Sequence, residues 1–76
     1  MKQQVFHYLV VLDREADGKY SVTVPDIPGC FTWGLNLEHA LEMAREAIEV
    51  NIEHLLATGQ SVPEPSHMAQ TIEVSA

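Results

Sequence analysis

The stretch Lys19–Gly34, KYSVTVPDIPGCFTWG, runs straight into the amphipathic segment Asn36–Leu56 and holds two strands, the corner between them and the approach to a helix. In its first half Tyr20, Val22 and Val24 fall on one face and Lys19, Ser21 and Thr23 on the other, the period-two pattern of a half-buried antiparallel strand. Pro25 ends the ladder because it has no N–H to donate. Pro28-Gly29 supplies a fixed φ followed by a residue that accepts positive φ, so the chain reverses there. Cys30–Trp33 reads as a short strand with Phe31 and Trp33 on one face, closed by Gly34.

On the N-terminal side, VFHYLVVL (Val5–Leu12) is rich in β-branched and aromatic residues and gives way to DREADGK, where Asp17-Gly18 marks a turn. This predicts a hairpin with the strand at Tyr20. On the C-terminal side Asn36 is a good N-cap, Glu38 and Glu42 lie near the positive end of the helix dipole, and Gly59 is placed to end the helix. Leu37, Leu41, Ala44, Ile48, Ile52 and Leu55 recur at three- and four-residue spacing, with Ala40 and Ala47 widening the stripe at small volume. That allows close approach to a sheet. Beyond Gly59, QSVPEPSHMAQ has loop composition and TIEVS (71–75) alternates again, which predicts a fourth strand with Ile72 and Val74 on one side. The expected fold is α+β: a single two-layer β-β-β-α-β domain over residues 1–76, an antiparallel-rich sheet with one helix packed on one face.

At 76 residues only about 60% of the unfolded chain's surface is buried on folding, so the core is thin. The single cysteine, Cys30, cannot form an internal disulfide. No His/Cys spacing suits structural zinc, and His39 with Glu42 alone is too little for a closed site, so neither a metal nor a cofactor is expected. Self-association is the remaining support for a small fold. Eleven acidic against four basic residues leave a formal charge of −7, which repels a phosphate backbone and excludes direct nucleic-acid binding as the expected activity. The apolar run after MKQQ is too short for a signal peptide, and no stretch approaches the ~20 residues of a membrane span. A soluble, cytoplasmic protein is expected.

The first strand is apolar on both faces: Val5, Leu9 and Val11 on one side, Phe6, Tyr8, Val10 and Leu12 on the other. One helix covers one face, so Phe6, Tyr8, Val10 and Leu12 are candidate oligomer-interface residues; central placement of the strand beneath long neighbouring side chains is the alternative. Cys30 has neither base nor cation beside it in sequence and reads as a small buried hydrophobe rather than a nucleophile.

The ordered set of VPDIPGC, the aromatic strand, Gly34 before LEHALEMAREAIEVNIEHLLATG, and VPEPS resembles the HicB-like antitoxin family over roughly Tyr8–Ser66. The resemblance implies a domain similar to a pared-down ribonuclease H fold that binds a small HicA-like toxin, an mRNA-cleaving protein similar to a double-stranded-RNA-binding domain, and blocks its site. It also implies dimers or higher assemblies. Many members continue into an operator-binding domain; here the sequence ends two residues after Val74, and operator binding is not carried over. A homo-oligomeric interaction module with no toxin is the alternative.

Against such a toxin, Glu42, Glu46 and Glu49 are candidate contacts within the stripe Glu38, Glu42, Glu46, Glu49 and Glu53, since acidic charge complements an RNA-binding surface and sets orientation. A merely solvated face is the alternative. Asp26 is the polar residue of the Pro25–Cys30 corner, a candidate contact or cap. Trp33 is a candidate anchor if exposed, and core otherwise. Ribonuclease H chemistry needs three or four inward carboxylates on two metal ions. Asp13, Asp17, Asp26 and Glu73 lie at a strand end, in loops and on a polar strand face, so no enzyme is expected.

Overall fold

A computed structural model describes residues 5–76. Three strands and one helix follow one another: β1 (Val11–Arg14), β2 (Tyr20–Thr23), β3 (Phe31–Gly34) and α1 (Leu37–Ala57). The strands form an antiparallel sheet in the order β1-β2-β3, with Leu12 opposite Val22 and Val22 opposite Thr32. One helix backs this sheet, so the two-layer α+β arrangement is as the sequence indicates.

Alternation sets the faces. Val22 is 1% exposed and packs with Ala40 and Ala44 of α1, flanked by Val10, Leu12 and Tyr20. Val24, Ile27 and Cys30 form a second cluster at the end of the sheet, against Tyr8, Val10, Ala47 and Ile48. The corner folds around Ile27: the Ile27 amide donates to the Val24 carbonyl at 3.1 Å, Cys30 to Ile27 at 3.1 Å, and Val24 to Cys30 at 3.0 Å. Gly29 takes φ +77°, as the reversal requires.

The helix lies closest where side chains are smallest. A Cβ on Gly34 would sit 2.9 Å from the Ala40 Cβ and overlap the Ala40 backbone, so glycine is what lets β3 touch α1. Leu37 and Leu41, on the same periodic stripe, are about half exposed. Asn36 caps the helix by accepting from the His39 amide at 2.8 Å, while His39 Nδ1 accepts from the Leu35 amide at 2.9 Å, a reciprocal arrangement like a capping box. At the other end Gly59 donates to Leu56 and Gln60 to Leu55, with Gly59 at φ +73°, the pairing of a Schellman motif.

Three elements differ from the sequence reading. The first ladder covers Val11–Arg14 rather than Val5–Leu12, because the register that pairs Val11 with Thr23 brings Leu9 opposite Pro25, where no amide is available. Residues 5–10 precede it outside the ladder, and the turn lies at 16–18, so Asp13 and Arg14 still pair. The third strand starts one residue later and includes Gly34, opposite Tyr20. The fourth strand expected at 71–75 is not formed: residues 60–76 have no regular structure, and an alternating pattern makes no ladder without an edge beside it.

Candidate functional site

The acidic candidates lie on the side of α1 turned away from the sheet. At 100° per residue, Glu42, Glu46, Glu49 and Glu53 fall opposite Ala40 and Ala44, and each is exposed. Among the described residues the ion pairs are Lys19–Asp17 and His67–Asp26, so none closes on this stripe, and Arg45, one turn from Glu42 and Glu49, offsets only part of its charge. It offers a row of carboxylates to any partner approaching from the helix side.

The opposite surface is aromatic and only partly charged. Phe31 (73% exposed) and Trp33 (55%) project from β3, beside Thr23 and Ser21 of β2 and, beyond them, Val11 and Asp13 of β1. Lys19 Nζ lies 5.5 Å from the Trp33 ring centroid and 3.6 Å from Asp17. Trp33 therefore stands outside the core, in the position an anchor needs, with a cation over its face. It lies on the far side of the sheet from the acidic stripe, so a single flat partner surface cannot meet both.

Asp26 binds within its own chain. Its carboxylate accepts from the Ser66 hydroxyl, from the Ser66 amide at 3.0 Å and from the His67 amide at 3.3 Å, and pairs with His67 Nδ1 at 2.7 Å. With an ionised carboxylate facing it, Nδ1 is the donor. The hydrogen bonds from Ser66, first its hydroxyl and then its amide, with further bonds from His67, hold the Asp26 carboxyl well below the ordinary carboxylate range. Nearby, the Tyr8 hydroxyl donates to the Pro63 carbonyl, and burial followed by the Asp26 charge pushes its pKa up. These bonds tie the segment after α1 to the end of the sheet. Asp26 was readable as a polar contact or cap; its partners, forty and forty-one residues away, carry no signal in local sequence.

Phe6, Tyr8, Val10 and Leu12 lie on the helix side of the chain. Val10 and Leu12 pack against the first core cluster and Tyr8 against the second. Phe6 and Tyr8 meet with ring centroids 5.9 Å apart and border a groove of about 720 Å³, whose other wall is Ile48, Ile52 and Leu56 of α1. Cys30 is 2% exposed and burial raises its thiol pKa, which leaves it a packing residue. Among the described residues no group of three or more His, Cys, Asp or Glu side chains gathers in a form that could hold a metal ion. Among the described residues no helix is long and apolar enough to cross a membrane.

The profile of the HicB-like antitoxins of bacterial toxin–antitoxin systems matches residues 8–75, and the chain belongs to that family. It is 35% identical over 72 residues to a UPF0150 protein of Synechocystis sp., covering 95% of this chain and 91% of the relative. It is 36% identical over 63 residues to antitoxin HicB 1 of Photorhabdus laumondii, covering 83% of this chain but 41% of that one. The crystal structure of the N-terminal domain of Burkholderia pseudomallei antitoxin HicB superposes with a TM-score of 0.65 at 34% identity, over 82% of this chain and 69% of that one. Family membership thus gives an antitoxin role in general terms.

Proposed function

We propose that this protein is a non-catalytic antitoxin that binds a small, basic, HicA-like mRNA-cleaving toxin in the cytoplasm and inhibits it by covering its RNA-binding surface. The observation that carries the reading is the unpaired carboxylate row on α1 in a chain of the HicB-like family. A surface built to bind phosphates presents lysines and arginines, and a row of glutamates is its electrostatic complement. At a net charge of −7 the same protein is repelled by the RNA itself, so it competes for the toxin rather than for the transcript.

The test is binding to the product of the adjacent reading frame. A co-purifying basic protein of fewer than about a hundred residues, with its RNA cleavage suppressed by this chain, is the expected result. Glu42→Lys/Glu46→Lys/Glu49→Lys should weaken binding by at least about tenfold at low salt and flatten its salt dependence. Unchanged affinity removes the stripe from the interface. Trp33→Ala reads the aromatic side separately, since the two surfaces lie on opposite layers.

A second reading, a homo-oligomeric module with no toxin, draws on the uncovered apolar surface around Phe6 and Tyr8 and on the outer sheet face. The two are compatible: self-association over Phe6 and Tyr8 reaches Glu49 at the border of that surface and leaves Glu42 and Glu46 free. Recovery of a bare homo-oligomer without any basic companion would favour the second reading alone.

A further inference from the structure

Two parts of the chain lack what the other supplies. Residues 5–10 run on ahead of β1 without a ladder partner, and β1 itself is an edge strand, paired with β2 on one side only. Their helix side opens onto the groove of about 720 Å³ between Phe6 and Ile52, and a neighbouring hollow of about 640 Å³ extends past Leu41 and Arg45. This is a free edge above an apolar trough. At the other end of the chain, Met68, Ile72 and Val74 recur at even spacing, the pattern of a half-buried strand, yet they are 84%, 85% and 78% exposed and touch no edge.

The linker explains why they are apart. Bonds from Tyr8 to Pro63 and from Ser66 and His67 to Asp26 fix the departure point of the last residues at the end of the sheet, and residues 66–76 are exposed throughout. The whole chain has an accessible surface of 6370 Å², against about 4,700 Å² for a compact monomer of its mass. The excess, about 1,700 Å², is roughly twice the ~800 Å² that each partner contributes to a stable interface.

We propose that Thr71–Ser75 of one copy adds as a strand to the free edge of residues 5–10 and β1 in a second copy, laying Ile72 and Val74 over the trough, and that the second copy returns the same arm. This rests on the self-association proposed above and names the segments that exchange. A second copy is the occupant because each chain carries one arm and one trough, so a two-fold pair covers both at once and leaves neither an arm nor a trough over. Glu49 borders the hollow past Leu41 and Arg45, whereas Glu42, Glu46 and Glu53 line neither the groove nor the hollow and stay available to a third protein.

The experiment uses the full chain. Light scattering and sedimentation across dilution should show a dimer, and Ile72→Asp/Val74→Asp should weaken it at least about tenfold with the circular dichroism of the body retained, because both side chains are exposed within one copy. In a mixture of isotope-labelled and unlabelled chains, filtered NOEs should connect the Ile72 and Val74 methyls of one copy to Phe6 and Ile52 of the other. A dimer of unchanged affinity in the double variant overturns the exchange while leaving self-association by another face intact. A wild-type monomer at every concentration overturns both. NOEs from Val74 to Phe6 confined to one chain assign the arm to its own trough and overturn the exchange in favour of folding back. Toxin binding is read in a separate assay and does not enter these outcomes.

Discussion

Asp26 shows how one side chain can organise a distant segment. Four donors converge on its carboxylate, two from Ser66 and two from His67, forty and forty-one residues further along the chain. Because the folded pKa lies below the unfolded value of about 3.9, the clamp stabilises the structure fully above that value and is lost as pH falls through the lower, folded one. The protection factors of the Ser66 and His67 amides, taken against the intrinsic rate at each pH, should therefore hold at about pH 5 and fall progressively below about pH 4. Asp26→Ala should give the lowered protection already at neutral pH, with α1 still protected. If the two amides exchange alike in both proteins, the clamp does not form in solution.

At the scale of elements, the contact between β3 and α1 leaves no room for a side chain at Gly34. Gly34→Ala must push the helix off the sheet, and we expect a loss of about 1–3 kcal/mol, read as a lower urea midpoint at constant slope. Asn36→Ala removes only a cap and should cost about 1 kcal/mol. Equal effects would mean that the helix relaxes around the added methyl. These elements were legible in the sequence because each is governed by local rules: alternation in Tyr20–Val24, Pro and Gly at the corner, Asn36 and Gly59 as caps. Ile27 was not, since a single apolar residue between two prolines has no period; only the folded corner shows that it is among the most buried side chains. The β1 boundary and the last strand depended on which edge meets which. No local pattern encodes that. The exposure of Phe31 and Trp33 was likewise hidden, because alternation says that two residues share a face and not which face the helix will take.

For the whole molecule, the buried core among the described residues consists of Val22, Val24, Ile27, Cys30, Ala40 and Ala44, three of them small. The radius of gyration is 14.5 Å, against about 11 Å for a compact chain of this length. With so little interior, the self-association proposed above would add to stability, and on that proposal the melting temperature should rise with protein concentration. A melting temperature independent of concentration over a hundredfold range would show that a single copy is self-sufficient. The acidic stripe was plain in the sequence, and its placement on the outer side of α1 follows from helical geometry.

The connections within the body are short. A tight turn joins β1 to β2, a single corner joins β2 to β3, and only Leu35 and Asn36 separate β3 from α1. Short-range topology of this kind sets a low barrier, so the sheet and helix are expected to assemble in one fast unimolecular phase. Any meeting of two chains then follows as a slower bimolecular phase. A newly made polypeptide would thus acquire its carboxylate-bearing helix before it acquires a mate, and refolding traces at different dilutions should separate the two phases by their order.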